Sequence, residues 1–178
     1  MATKTGDFEL TLDELRVVTR HAAQSTQEVL PLFDDANPGD PRPRAAVEAA
    51  WTFANGAART NLQRVAALDA HRAAKEATTE AAQYAARAAG DAAAAAYLHP
   101  LAKATHVGHI LRATANAAHA AELGANSEPD IGDAVIENAR QRATPTLLDV
   151  LSRYPLAPTG KGRVARLMTA LDLSLRKR

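Results

Sequence analysis

Residues 60–123 decide the fold; they begin TNLQRVAALDAHRAAKEA (60–77), continue as EAAQYAARAAGDAAAAAYLH (80–99) and end HVGHILRATANAAHAAEL (106–123). Alanine is the strongest helix former because its side chain loses no entropy in a helix and hides no polar group. Alanine faces also let two helices approach closely, so the few larger side chains become the features of any pocket between them. This run therefore predicts two or three long central helices, one of them from about Glu80 to Leu98, after which Pro100 bends or breaks the path.

Signals for helix starts and stops divide the rest of the chain. Thr11 and Thr60 are each followed, three positions later, by a glutamate or glutamine, which is the spacing of a capping box. Pro31 predicts that the first helix kinks or ends there. Thr144 followed by Pro145 predicts a further helix start. These signals predict an all-α fold, a single-domain multi-helix bundle of about six to eight helices.

The chain of 178 residues is long enough to bury a core. We expect one α-helical domain over 1–178, with its core at about 11–155. Residues 156–178 form a basic amphipathic C-terminal arm in this interpretation, because apolar residues recur there at helical spacing among arginines and lysines. Docking of this arm on its own bundle is favoured over an extended arm that reaches a partner.

Composition excludes several classes of function. The net charge of +1 gives no field that would favour a nucleic acid partner, and no apolar run approaches the roughly 20 residues that span a bilayer. The chain has no cysteine, which excludes disulfides and thiolate metal sites. Phosphate-binding glycine loops and the H-E-x-x-H pattern are absent from the sequence. We therefore expect a cytoplasmic protein with no nucleic acid partner, no membrane partner, no cofactor and no metal.

Polar residues on the central helices are the candidates for a site. Arg87, surrounded by alanines, is expected to be either exposed or buried with a partner, and Asp91 at i+4 is the nearest carboxylate. The candidate ligand-binding set is His71, Arg87, Asp91, Tyr97, His99, His106 and His109. No catalytic residue is assigned.

The histidines allow two interpretations. His106 and His109 share a helix face, and His99 joins them if the helix is continuous past Pro100. With a carboxylate they would make a metal or acid–base site inside the bundle. Alternatively they are satisfied polar residues on solvated or interhelical faces, and this second interpretation is favoured because the third ligand is not clearly placed.

Other residues are assigned to a partner surface or to structure. Trp51, the only tryptophan, is expected to anchor the core with its indole N–H bonded to a partner. Asp69 can pair with Arg72 three positions later. Gly108 within a helix suggests that another backbone passes close by. Arg44 completes the group that we assign to a partner surface or to structure.

Three segments carry a resemblance to a known family: DPRPRAAVEAAW (40–51), ALDAHRAAKEA (67–77) and AARAAGDAAAAAYLH (85–99). They resemble the Imm5-like immunity proteins, over roughly residues 12–155, and the basic tail lies outside the resemblance. The resemblance implies an all-α bacterial protein that protects a cell from a toxin. It matches the family's arginine and tryptophan region to Arg44 and Trp51, its central histidine to His71 and its A-A-R-A-A-G arginine to Arg87.

Two functions follow as hypotheses from different classes. In the first, the chain is an immunity-type binding protein that neutralises a partner protein, such as a cognate toxin, by stoichiometric binding. In the second, it is a small-molecule-binding protein or an enzyme with a pocket between the central helices, in which arginine positions an anion. A homo-oligomer assembled through alanine faces or the C-terminal arm stays open.

Overall fold

A computed structural model describes residues 8–177, and over that range the chain forms helices and no strand. The predicted all-α class is confirmed. The α-helices of this range are α1 Leu12–Ala36, α2 Arg42–Ala54, α3 Asn61–Glu76, α4 Glu80–Ala94, α5 Gly108–Gly124, α6 Pro129–Arg142, α7 Pro145–Ser152 and α8 Arg163–Arg176. Two short 3₁₀ helices, Ala95–Tyr97 and Ala104–Val107, lie between α4 and α5.

Both predicted capping boxes form. The hydroxyl of Thr11 accepts a hydrogen bond from the backbone N–H of Glu14 (3.1 Å), and the Glu14 carboxylate accepts one from the backbone N–H of Thr11 (2.9 Å). At the start of α3, Gln63 closes the same reciprocal pattern with Thr60. Thr144 caps α7 through the backbone N–H of Leu147, as its position before a proline predicted. These caps satisfy backbone donors that a helix start leaves free.

Of the two outcomes predicted at Pro31, a kink or an end, the end does not occur, because α1 continues to Ala36. Pro31 is exposed, so its ring and its missing N–H face away from the core. Leu30 and Phe33 on either side are buried, and their packing holds the helix together across the lost hydrogen bond.

Helix α4 lies at the centre of the fold and packs against α1, α2, α3 and α5. Nine of its fifteen residues are buried, and most of these are alanines. Larger apolar side chains fill the space further out, notably Phe33, Phe53, Ile110 and Leu111, which are fully buried. The alanine-rich run thus provides close helix contacts, as its composition predicted, and the few polar residues on α4 project between helices.

The link between α4 and α5 is less regular than expected. Helical structure was predicted up to Leu98, but α4 ends at Ala94 and a 3₁₀ turn follows. Pro100 leaves the carbonyl of Ala96 without its usual helical donor, and Arg59 Nη1 donates to that oxygen at 3.1 Å. The Tyr154 hydroxyl donates to the His99 carbonyl at 2.7 Å. Side chains from distant parts of the sequence therefore donate hydrogen bonds to the backbone carbonyls where the helix breaks.

The C-terminal helix α8 packs on α5 and α6, so the expected docking of the tail is confirmed. Asp172 is buried, and its carboxylate accepts from the backbone N–H of Ala157 (2.7 Å) and from Arg176 Nε (2.7 Å). The division into one domain with a core and an arm stays a prediction. Across residues 8–177, no helix has both the length and the apolar character to cross a membrane.

Candidate functional site

An open cleft of about 450 Å³ lies where α3, α4, α5 and the beginning of α8 meet. We call it the arginine cleft because three arginines from three helices line it. Its lining residues are His71 on α3, Tyr84, Arg87 and Asp91 on α4, Arg112 and Asn116 on α5, and Gly162, Arg163 and Val164 at the start of α8. The cleft therefore gathers three of the predicted ligand-binding residues, namely His71, Arg87 and Asp91.

Asp91 is the buried charge at the base of the cleft. Its Oδ2 accepts hydrogen bonds from Asn116 Nδ2 (2.8 Å) and from Arg112 Nε (3.3 Å), and its Oδ1 lies 3.5 Å from His71 Nε2. We call these four residues the Asp91 centre. A buried carboxylate is retained only when partners compensate its lost hydration, and here α3 and α5 both supply partners to α4.

Gly90 makes room for this arrangement. A Cβ at Gly90 would lie 2.7 Å from His71 Nε2, closer than side-chain contacts allow. The ring of His71 thus packs directly over the backbone of α4 and reaches the carboxylate of Asp91. This packing explains why a helix rich in alanine carries a glycine, which costs roughly 1 kcal/mol of helix propensity.

Arg87 does not pair with Asp91, so the candidate carboxylate at i+4 is not its partner. Asp91 instead turns towards Asn116 and Arg112 on α5. The guanidinium carbon of Arg87 lies 4.8 Å from the centre of the Tyr84 ring, in cation–π geometry. Among the residues that the structure describes, Arg87 forms no ion pair with a carboxylate, so its charge lies in the cleft without a countercharge.

A second buried carboxylate, Glu122 on α5, holds the third arginine. Arg163 Nε donates to its two oxygens at 3.0 and 3.1 Å, Arg163 Nη2 also donates to Oε1, and His119 Nδ1 lies 3.0 Å from Oε2. We call these three residues the Glu122 centre. Burial acts to raise the pKa of Glu122, but the hydrogen bonds from Arg163 and His119 outweigh it, and the pKa lies below its usual value.

Tyr84 lies between the two centres. Its ring contacts the His119 ring edge-on, with 4.4 Å between the ring centres, and the same ring carries the guanidinium of Arg87. A Cβ at Gly132 would overlap the Glu122 side chain, so a glycine makes room in this centre too.

Three predicted histidines form a separate row. Ring centres are 5.6 Å apart for His99 and His106, and 6.4 Å apart for His106 and His109. The helix is not continuous from His99 to His106, yet the rings of these residues still lie close together. Burial, followed by the charge of Arg112, holds the pKa of His109 below its ordinary value.

These histidines do not line the arginine cleft. Within residues 8–177, no three histidine, aspartate or glutamate side chains are placed to hold a metal ion together.

Tyr97 lies apart from the cleft, so the predicted ligand set is not brought together as a whole. Its hydroxyl donates to the carbonyl of Thr60, and the guanidinium carbons of Arg59 and Arg64 lie 5.0 and 4.6 Å from its ring centre. Tyr97 therefore ties the start of α3 to the end of the α4 segment.

The residues assigned to a partner surface or to structure lie on α2 and α3, outside the cleft. Trp51 is partly buried and donates from Nε1 to Gln27 Oε1 at 2.9 Å, as expected for its indole N–H. Asp69 pairs with Arg72 at 2.8 Å, and Arg44 pairs with Asp34 at the surface. Their roles towards a partner stay predictions.

Sequence reasoning missed Arg112, Asn116 and Arg163. The first two lie at i and i+4 on α5, and Gly108 lies four residues before Arg112. A Cβ at Gly108 would lie 3.0 Å from Arg112 Nη1, so Gly108 accommodates this guanidinium rather than a neighbouring backbone, and that prediction was wrong. The spacing Gly108, Arg112, Asn116 was the available signal, because a glycine, an arginine and an amide recur on one face of an alanine-rich helix.

Comparison with known proteins gives one assignment. No curated protein and no solved structure matches the chain. A family model does match, over residues 9–144, which include the whole Asp91 centre but not Arg163. The chain belongs to the Imm-5 like putative immunity protein family.

Proposed function

We propose that this chain is an immunity-type binding protein that neutralises a partner protein, such as a toxin, by one-to-one binding. The arginine cleft is the part of its surface that contacts the partner in this proposal. The observation that carries it is the set of three arginines from three helices, two of which are held in place by buried carboxylates. Membership in the family supports the immunity role.

Preorganisation is the physical argument for recognition at the cleft. An arginine that is already fixed by a buried partner loses less side-chain entropy on binding than one that moves freely in water. Arg112 is held by Asp91, Arg163 by Glu122, and Arg87 rests on Tyr84. Arginine and tyrosine are also the residue types that most often dominate binding energy at protein interfaces.

The exposed surface of α3 favours a protein as the partner. Leu62, Val65 and Leu68 are each about half exposed, at 52%, 46% and 53%. They follow one another at three-residue spacing on the helix that also carries His71. Interfaces between proteins combine apolar and polar surface, and exposed apolar residues on a helix that also lines the cleft suit that combination.

The test uses the product of the toxin-like gene nearest to the gene for this chain. The full chain is mixed with this toxin-like protein, and their binding is measured by calorimetry and native mass spectrometry. In a second experiment, both proteins are expressed in one cell and its growth is measured. We expect a one-to-one complex and restored growth. Replacing Arg112 by alanine should weaken the complex by about tenfold or more, in the range of a contact worth 1–2 kcal/mol.

Arg140→Ala is the matched control, because Arg140 is a surface arginine on α6 that pairs with Glu137 outside the cleft. This control should bind as tightly as the original chain. If no neighbouring toxin-like protein binds, or if growth is not restored by a chain that does bind, the neutralising role is wrong.

A second candidate is a small-molecule-binding protein or an enzyme, and the observation that favours it is the size of the cleft. A volume of about 450 Å³ falls within the range of small-ligand sites. Native mass spectrometry of the chain purified from its own organism tests this candidate. A retained small molecule that Arg87→Ala releases supports it, whereas a protein mass equal to the bare chain opposes it.

A further inference from the structure

We propose that the arginine cleft is a site for a single carboxylate group, which Arg87 and Arg112 bind together. This inference deepens the proposed function and rests on it for the identity of the partner, whose glutamate or aspartate side chain would supply the group. The binding of the carboxylate itself can be measured without that partner. A free small carboxylic acid is the other source of the same chemistry.

The unused hydrogen-bond donors of the cleft are the first argument. Arg112 donates to Asp91 through Nε, and within the described part of the chain its two terminal nitrogens have no acceptor at hydrogen-bond distance. The Arg112 side chain is 44% exposed, so these nitrogens reach the open side of the cleft. Arg87 contributes a second guanidinium whose ring contact with Tyr84 uses none of its N–H groups.

Geometry of the donor groups selects an oxyanion. A guanidinium presents parallel N–H groups that match the two oxygens of a carboxylate, which a chloride ion or a neutral hydroxyl cannot match. Asn116 does not compete for the ligand, because its side-chain amide already donates to Asp91 at 2.8 Å. The ligand therefore meets charged donors.

The charge of the site sets the charge of the ligand. Three arginines line the cleft, Asp91 lies at its base, and Glu122 beneath Arg163 neutralises that arginine. Because Arg112 pairs with Asp91, Arg87 is the one arginine of the cleft without a carboxylate partner among the described residues. A carboxylate carries one negative charge, which matches the charge of the one guanidinium that has no carboxylate partner.

Asp91 holds two walls of the site in place. Its carboxylate holds Arg112 on α5 and lies near His71 on α3, so the walls from two helices are fixed to α4. Tyr84 similarly supports Arg87 from below. The site is therefore built before the ligand arrives, which reduces the entropy lost on binding.

The test follows the arginine side-chain Nε–H signals of the full chain by two-dimensional NMR while sodium propionate is added at constant ionic strength. Propionate reproduces the end of a glutamate side chain. We expect saturable shifts of the Arg87 and Arg112 signals with a Kd on the order of 10 mM, as for one charge-assisted group in water. Sodium chloride at the same ionic strength should give no saturation, because a chloride ion cannot match the parallel N–H groups of a guanidinium.

Variants assign the binding to these two arginines. Arg87→Gln and Arg112→Gln should each raise the propionate Kd by about fivefold or more, which corresponds to the loss of one charged donor. Arg140→Gln should leave the Kd unchanged, and circular dichroism confirms that each variant is folded. Non-saturable shifts in the original chain, or an equal Kd in Arg87→Gln, would overturn the inference.

A last comparison distinguishes the sources of the carboxylate and separates the two proposals. A short peptide with one glutamate between glycines and serines should bind tighter than propionate if the group comes from a protein, and equally if it is a free acid; either result supports the carboxylate site. If propionate fails to bind but the toxin-like protein does, this inference is wrong and the proposed function stands. If propionate binds and no toxin-like protein does, the carboxylate site stands and the proposed function is wrong.

Discussion

Two buried carboxylates hold two of the three arginines of the cleft, and each is matched with one histidine. Asp91 faces Arg112 and His71, and Glu122 faces Arg163 and His119. Asp91 binds its arginine through a single contact at Nε, whereas Glu122 accepts from both Nε and Nη2. The Asp91 centre therefore leaves donors free for a ligand, and the Glu122 centre uses its donors within the protein.

The two centres also differ in where their parts come from. All residues of the Asp91 centre fall within residues 9–144, which the family model matches. Arg163 lies beyond that range, at the first residue of α8. The Glu122 centre thus attaches the C-terminal helix to α5 and turns its first residues into one wall of the cleft. In our proposal, one carboxylate organises recognition and the other fixes the structure around it.

Removing each carboxylate tests this difference with the largest expected effect. Glu122→Ala should lower the free energy of unfolding by about 3 to 4 kcal/mol, because it leaves a cavity and strips Arg163 and His119 of their shared partner. Asp91→Ala should cost about 2 kcal/mol, because Arg112 and His71 are 44% and 37% exposed and water can solvate them. Urea unfolding followed by circular dichroism measures both values.

Asp133→Asn is the matched control for Glu122→Ala. Asp133 lies 3.7 Å from the same Arg163 but its side chain is 68% exposed, so its loss should cost less than about 0.5 kcal/mol. Equal costs for Glu122→Ala and Asp91→Ala would remove the distinction between a structural centre and a recognition centre.

A third histidine, His21 on α1, extends the comparison of the two centres because, within residues 8–177, no carboxylate pairs with it. His21 is 3% exposed, and neither ring nitrogen has a hydrogen-bond partner within residues 8–177. Burial, followed by the charge of Arg142, lowers the pKa of His21 to about 4. Between pH 6.5 and pH 4 the unfolded chain therefore binds more protons than the folded chain, and stability falls as the pH falls through this window.

The expected loss is about 3 kcal/mol between pH 7 and pH 4, from the pKa difference of roughly 2.5. Other groups add to the acid sensitivity below that window, since the pKa of Glu122 is also lowered. His21→Leu isolates the histidine because it keeps an apolar side chain of similar size in place. Urea unfolding at several pH values should show a shallower pH dependence for this variant, and an unchanged slope would contradict the prediction.

Much of the fold was readable from the sequence because its signals are local. Capping residues such as Thr11 and Thr60 act on the backbone within one turn, and alanine acts through propensity, so no knowledge of the partner helix is needed. The break after Ala94 was misjudged by a few residues. Its stabilisation depends on Arg59, which lies 37 positions away from the carbonyl that it satisfies.

The site was harder to predict, and the reason is also physical. Arg87 and Asp91 were recognised as charged residues within alanine, but Asp91 is not the partner of Arg87, because its donors come from α5. Arg163 carried no local signal, since its role depends on how α8 docks. Ion pairs between helices follow from packing, and the spacing within one helix does not determine them.

The smallest expected effect is that of Gly90→Ala, which is compared with Gly132→Ala because each glycine faces one of the two centres. Gly90→Ala places a methyl group 2.7 Å from the His71 ring, and Gly132→Ala places one within the Glu122 side chain. His71 is 37% exposed and can turn outwards, so its movement costs little, and the gain of roughly 1 kcal/mol in helix propensity offsets that cost. Gly90→Ala should therefore change the free energy of unfolding by less than about 0.5 kcal/mol.

Gly132→Ala should cost about 2 kcal/mol despite the same gain in propensity, because the buried Glu122 cannot move without breaking its bonds to Arg163 and His119. Urea unfolding compares the two variants, and NMR of the His71 ring signals shows whether it has moved away from Asp91. A large loss of stability in Gly90→Ala would mean that the contact between His71 and Asp91 supports the fold itself. Both centres would then support the fold, and they would differ only in the arginine hydrogen-bond donors that each leaves free.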